Sequence, residues 1–297
     1  MASKRPARHV HQHPASARWD GTSYQKAPTK SVSVGGTRFA YRELGLGAGV
    51  PVIFVNHLYG NLDNWDPRVV DGIAAHHRVI TFDNRGIGAT EGKTPDTVEA
   101  MAKDAVAFIR ALGFSQVDLL GFSLGGFVSQ VIAQQEPALV RKIILAGTGP
   151  AGGEGIVNVT KLSYLDTFHA YATFKDPKEL LFFTRTAKGK SEAMAFIKRL
   201  KERTVDRDKA VTARAFQTQL KAIHTWGLER PADLSRIQHH VLVANGDDDR
   251  MVPTSNTYDL ARRLPNATLR IYPDAGHGGI FQFHQRFVPE ALEFLGS

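Results

Sequence analysis

The chain has 297 residues, 42% of them hydrophobic, and a formal net charge of +8. A chain of that length buries roughly three quarters of its unfolded surface and suits one large domain or a domain with an insertion. It has no cysteine, which excludes disulfides, thiolate catalysis and Cys-based metal sites and fits a reducing, cytoplasmic setting.

The charge is unevenly placed. Residues 1–30 hold Lys4, Arg5, Arg8, Arg18, Lys26 and Lys30 against Asp20 alone, so they carry +5 and the rest only +3. A body that close to neutral does not suit nucleic-acid binding. Proline, serine and the spaced His9, His11 and His13 give the arm no apolar periodicity, so residues 1–30 are expected to be disordered. A targeting segment or a weak metal-binding tract are the alternatives there. No apolar stretch reaches the ~18 residues that span a bilayer, so no membrane segment is expected.

"SVSVGGTRFAYREL" (31–44) alternates around Gly35-Gly36 and predicts a hairpin. Short apolar runs then recur, each followed by a helical pattern: "VPVIFVNH" (50–57), "HRVITFDN" (77–84), "QVDLLGFS" (116–123) and "VRKIILAGT" (140–148). Such runs suit strands buried on both faces, and their alternation with helices predicts a parallel sheet in an α/β fold. After Thr148 the rhythm breaks. "GPAGGEG" (149–155) is a flexible connection, and residues 156–230 read as helices with no strand. The strand–helix rhythm resumes with "HHVLVANGDDD" (239–249), "ATLRIYPDAGH" (267–277) and a last helix near 283–295. An insertion at that point would lie over the carboxyl ends of the strands, where open α/β sheets bind ligands.

In "LLGFSLGGF" (119–127), Ser123 ends a predicted strand and starts a predicted helix, the setting of a nucleophile elbow. Gly121 and Gly125 would relieve crowding there, and Gly126 would let the helix approach the sheet. The alternative is a serine N-cap. A serine hydroxyl needs a base, and the base needs an orienting acid, in the chain order Ser, acid, His. Asp249 follows the run "VLVANGDD", with Asp247, Asp248 and Asp274 as rivals, and the D-x-x-V-P spacing favours Asp249. His277 closes "RIYPDAGHGG" between glycines. Both fall at strand ends on the predicted sheet edge of Ser123.

These residues resemble the α/β-hydrolase superfamily over about residues 31–297, through "GFSLGG", "GDDDRMVP", "DAGHGG" and "FDNRGIGAT" (82–90). The resemblance implies a mostly parallel eight-stranded sheet with helices on both faces. It also implies a core of residues 31–150 and 236–297 and a helical cap of residues 151–235. Ser123, Asp249 and His277 would be the catalytic triad, with no metal or organic cofactor. Asp83 and Arg85, in the 82–90 loop, would be structural. Most members carry His-Gly after the third strand, whereas this chain has "VNHLYGNLDNW", with Leu58 in the glycine's place. That wording resembles the 3-oxoadipate enol-lactonase branch. It implies oxyanion donors at the Leu124 N–H and at the N–H of Leu58 or Tyr59, with His57 bonding its own loop.

The implied activity is acyl transfer on a small carboxylic ester or lactone. A serine nucleophile argues against the dehalogenase and epoxide hydrolase branches. A perhydrolase of the non-haem haloperoxidase type, a C–C bond hydrolase and a signal-binding receptor on the same fold are the alternatives. Specificity would lie in the cap, where Tyr164, Phe168, Tyr171 and Phe174 recur at helical spacing. Trp65, Phe168, Phe182 and Arg185 are the candidate pocket residues, Arg185 as a clamp for a substrate carboxylate or as a plain surface arginine. "GKS" (189–191) lacks the first glycine and the strand of a phosphate loop.

Overall fold

The computed structural model describes residues 21–45 and 49–296. Its eight strands are β1 (Lys30–Val34), β2 (Thr37–Leu44), β3 (Val52–Val55), β4 (Val79–Phe82), β5 (Val117–Phe122), β6 (Val140–Ala146), β7 (His240–Gly246) and β8 (Ala267–Tyr272). They form one sheet in the order β1-β2-β4-β3-β5-β6-β7-β8. β1 and β2 run antiparallel to their neighbours and the other strands are parallel. The β1–β2 turn is the expected Gly35-Gly36 pair, at φ +55° and +81°. Two positive φ values give the turn whose twist matches a hairpin.

Among the described residues ten α-helices surround the sheet: α1 (Pro67–Ala74), α2 (Val98–Ala111), α3 (Leu124–Gln135), α4 (Val159–Ala172), α5 (Pro177–Phe182), α6 (Ala187–Leu200), α7 (Ala213–Leu228), α8 (Ser255–Arg263), α9 (Gly279–Gln282) and α10 (His284–Gly296). The strand alternation divides the core in two. Ile53 and Val55 of β3 pack with Phe108, Phe127 and Leu260 of α2, α3 and α8. Val52 and Phe54 pack with Ile73, Phe196 and Phe287 of α1, α6 and α10. Successive strand residues point to opposite faces, and all four β3 residues are fully buried, as a sheet covered on both sides requires.

Between β6 and β7 the chain runs through α4 to α7 with no strand, which accounts for the broken rhythm after Thr148.

The expected disordered arm, residues 1–30, lies outside the described residues for its first twenty positions. Its last ten correct the expectation. The Tyr24 ring is buried, its hydroxyl bonding the Leu62 carbonyl and, at 3.0 Å, the Thr81 hydroxyl. The Tyr24 amide donates to Asp71 at 2.6 Å. Arg203, just beyond α6, donates to the carbonyls of Tyr24, Gln25 and Ala27 at 3.3, 2.9 and 3.0 Å. Composition suggested a solvated arm because these anchors are single residues, without the periodicity that marks an element.

Candidate active site

Ser123 sits between β5 and α3 at φ +56°, ψ −118°. A non-glycine residue holds such angles only where its surroundings over-determine them. Its N–H donates to the Ala146 carbonyl of β6 at 2.9 Å, and its own carbonyl accepts from the Gly126 N–H and the Thr148 hydroxyl, each at 2.8 Å. The serine side chain makes no capping hydrogen bond to α3, so the N-cap alternative does not describe it. The flanking glycines make the turn possible. A Cβ on Gly125 would lie 1.9 Å from the Val55 carbonyl oxygen, and one on Gly121 2.4 Å from the Gly125 oxygen. A Cβ on Gly126 would meet the Thr148 hydroxyl oxygen at 2.4 Å.

Asp249 lies on the loop leaving β7 and His277 on the loop leaving β8. His277 Nδ1 and Asp249 Oδ2 are 2.8 Å apart and both residues are buried. Every remaining acceptor site on the carboxylate is used: Oδ2 also takes the Asn245 amide at 3.0 Å, and Oδ1 takes the N–H groups of Met251 and Val252 at 2.8 and 3.0 Å. Such an anion can receive only the Nδ1 proton, which leaves His277 Nε2 with its lone pair. The rivals are elsewhere. Asp247 and Asp248 are exposed, and Asp274 accepts from the hydroxyls of Thr184 and Thr186 at 3.1 and 2.9 Å.

Ser123 and His277 line one cavity of about 30 Å³, which His57 and Leu58 of the β3 loop also reach. No hydrogen bond joins the serine hydroxyl to the imidazole among the described residues; they meet across this space, as is common in unliganded sites. The other walls are Val159, Leu181, Phe182, Met251 and Val252. Phe122 and Phe182 flank the His277 ring at centroid distances of 5.0 and 5.6 Å.

His57 bonds its own loop, as expected: Nδ1–H donates to the Leu58 carbonyl at 2.7 Å. Burial lowers its pKa to about 3, so the ring is neutral and Nε2 is a buried acceptor without a partner. Leu124 is fully buried at the first position of α3, where a backbone N–H has no partner within the helix. Of the two loop candidates, the Tyr59 N–H already donates to Gln219 Oε1 at 2.9 Å, whereas Leu58 lines the cavity.

Three expected pocket residues are placed outside this cavity. Trp65 follows a short helical turn that drops it into the core, edge-on to Phe54 at 4.9 Å. Phe168 is 76% exposed because α4 turns Ser163, Asp166 and Ala170 inward instead. Arg185 pairs with Asp166 at 3.3 Å, as Arg250 does at the same distance. Phe182 alone of the four lines the cavity. Met251 and Val252 could have been read from their place directly after Asp249, but nothing in the sequence marks Val159 or Gln219.

Asp83 and Arg85 hold loops. Asp83 accepts the N–H groups of Leu62 and Ala89 at 2.9 and 3.2 Å, and Arg85 makes a two-pronged pair with Asp104 at 2.8 and 2.7 Å. Among the described residues no cluster of three or more His, Asp or Glu could hold a metal ion, and no helix is long and apolar enough to cross a membrane.

The model of the α/β hydrolase fold family matches residues 50–283. This chain belongs to that family. Its structure superposes on an α/β hydrolase fold protein from Chitinophaga pinensis with a TM-score of 0.87 at 42% identity, covering 93% of this chain and 100% of that one. A non-heme chloroperoxidase of Streptomyces lividans is 27% identical over 271 residues, 88% of this chain and 97% of that protein. The enol-lactonase from Burkholderia xenovorans, at 20% identity and a TM-score of 0.73 over 90% of this chain and 100% of that one, shares the fold.

Proposed function

We propose that this α/β hydrolase is a serine hydrolase that cleaves a small carboxylic ester or lactone through an acyl-enzyme. The observation that carries the reading is the His277–Asp249 hydrogen bond at 2.8 Å beside the cavity that Ser123 enters from its strained turn. In this reading the Ser123 hydroxyl adds to the substrate carbonyl while its proton passes to His277 Nε2, and Asp249 stabilises the resulting imidazolium. The N–H groups of Leu124 and Leu58 stabilise the oxyanion, each by about 3 kcal/mol. The carbonyl carbon then releases the alcohol, which takes the proton from Nε2, and water repeats the sequence to free Ser123. A cavity of about 30 Å³ with six apolar lining residues supports a short, uncharged acyl group. Arg185, paired with Asp166 outside it, offers no clamp for a substrate carboxylate.

Ser123→Ala and His277→Ala are each expected to lower kcat for p-nitrophenyl acetate by at least about 10³-fold with the circular dichroism unchanged. Near-normal turnover in Ser123→Ala would sink the triad. The chloroperoxidase relative supports a second reading, with peroxide in place of water in the deacylation step. Comparing kcat/KM for short esters, for lactones, and for acetate with hydrogen peroxide separates the two.

A further inference from the structure

The insertion helix α4 buries one face and leaves large apolar side chains on the other. Its inward stripe is Val159, Ser163, Asp166 and Ala170. Its outward stripe is Tyr164, Leu165, Phe168 and Tyr171, continued by Phe174 beyond the helix end, and these five residues are between 47% and 99% exposed. Four aromatic rings of ~200 Å² each, exposed to that degree, leave on the order of 600 Å² of apolar surface, the upper end of what a monomer ordinarily shows. Phe174 is strained as well as exposed. It holds φ at +55° directly after the C-cap Thr173. The Lys175 N–H donates to the Ala170 carbonyl at 2.8 Å and the Phe174 N–H to the Tyr171 carbonyl at 3.3 Å, a helix ending that favours glycine at this position. At 99% exposure the Phe174 ring buries almost nothing against the protomer, so the fold gains nothing for that strain.

The order of residues along this face is self-complementary. A two-fold axis through Phe168 lays two α4 helices antiparallel, and residues equally far from position 168 then face each other. Phe168 meets its own copy, Leu165 meets the partner's Tyr171, and Tyr164 meets the partner's Ala172, a large side chain opposite a small one. At the ends Lys161 approaches the partner's Lys175, whose charge Glu179 offsets at 3.9 Å within each copy. No carboxylate lies on the face, because the one acid of α4, Asp166, turns inward to Arg185 and Arg250, each at 3.3 Å. An aromatic centre without charge and a polar rim are the anatomy of a protein–protein interface. With the exposed rim of Lys161, His169, Thr173 and Lys175, the face approaches the ~800 Å² that each partner gives to a standard interface. From this pattern we propose that the outward face of α4 is a dimer interface for a second copy of this chain, with each Phe174 ring lying over the partner's first α4 turn. The proposal goes beyond the hydrolase reading and does not depend on it. Val159, at the start of the same helix, lines the cavity, so the partner rests against the helix that closes the site.

The test is sedimentation velocity of the full chain from about 1 to 100 µM, a range that brackets a micromolar dissociation constant. A species of twice the chain's mass is expected to grow with concentration. Phe168→Asp sets two carboxylates against each other on the axis and is expected to raise the dissociation constant at least about 100-fold. Phe174→Gly, which suits the helix end, is expected to raise it about tenfold. Circular dichroism and thermal melts check that each variant is folded, and Phe168→Ser carries the test if aspartate does not fold. The register is read separately. The chain has no cysteine, so a short bismaleimide is expected to link Phe168→Cys to its own copy far more readily than Tyr258→Cys, an exposed position on α8. A wild type that stays monomeric at about 100 µM, well above a micromolar dissociation constant, overturns the proposal. So does a dimer that folded Phe168→Asp leaves intact, or equal linking through the two cysteines. A monomer that instead sediments with phosphatidylglycerol vesicles assigns the face to a lipid surface and overturns it as well.

Discussion

Ser123 and His57 show how a single side chain is fixed by what surrounds it. The serine's backbone is tied to β6, to Thr148 and to its own helix, and the approach of β3 leaves no room for a side chain at Gly125. A Cβ there would press into the Val55 carbonyl at 1.9 Å, and neither backbone can yield without moving a central strand. Gly125→Ala is therefore expected to cost at least about 1–3 kcal/mol, read as a lower urea midpoint. His57 gives a prediction of different form. Burial lowers its pKa from 6.5 to about 3, so the folded ring stays neutral while the unfolded one takes a proton below pH 6.5. The unfolded state thus binds more protons between pH 6.5 and 3, and the His57 contribution to stability is lost as pH falls through that window. Urea midpoints at pH 7 and pH 4.5 should therefore differ less in His57→Phe than in the wild type.

The contact between the β4 loop and the connection from α6 to α7 carries the opposite pH signature. Asp83 and Asp208 both accept from the Leu62 N–H, at 2.9 and 3.2 Å. A Cβ on Gly88 would lie 2.4 Å from Asp83 Oδ2 and 2.3 Å from Asp208 Oδ2, which places the carboxyl groups side by side. Burial, and then the neighbouring Asp208, hold the Asp83 pKa well above the ordinary carboxylate range. The folded protein therefore keeps a proton that the unfolded chain releases, so stability falls as pH rises above the ordinary aspartate pKa of 3.8. In Asp208→Asn an amide donor replaces the shared proton. Its Tm is expected to exceed the wild-type value at pH 8 by about 2–4 °C, the shift for ~1 kcal/mol at this size, and to match it near pH 4. A constant difference across that range would count against a shared proton.

Across the whole molecule, the segment around Tyr24 joins parts that are distant in sequence. Its hydroxyl reaches the turn before α1 and strand β4, and its neighbouring carbonyls receive Arg203 from the α6–α7 connection. Tyr24→Phe keeps the ring, strands the Thr81 hydroxyl and leaves the Leu62 carbonyl with only the longer bond from Arg42 Nη1 at 3.3 Å. The expected cost is about 1–3 kcal/mol for buried groups left unpaired, measured as a lower Tm. If these contacts couple the insertion to the sheet, Arg203→Ala should cost less in Tyr24→Ala than in the wild type.

Local spacing was enough to place the strands, the glycine-relieved turn at Ser123, and Asp249 and His277 at later strand ends, because each depends on backbone geometry written in adjacent residues. The choice of Asp249 over Asp247 and Asp248 followed from the same local pattern. The facing of the insertion helices was not legible. α4 carries apolar residues all round, so Tyr164, Phe168 and Tyr171 have no inward side until the sheet supplies one, and they face solvent. The places of Trp65 and Tyr24 were not legible for a related reason: a lone aromatic has no period, and its partners lie elsewhere along the chain. Gln219 and Tyr59 are 160 residues apart, and only the folded chain brings that amide to that N–H. The sequence by itself determined that Ser123, Asp249 and His277, the residues of the proposed mechanism, follow the ends of β5, β7 and β8. Tertiary packing decided the shape of the space around them, because contacts between distant residues leave no mark on local spacing.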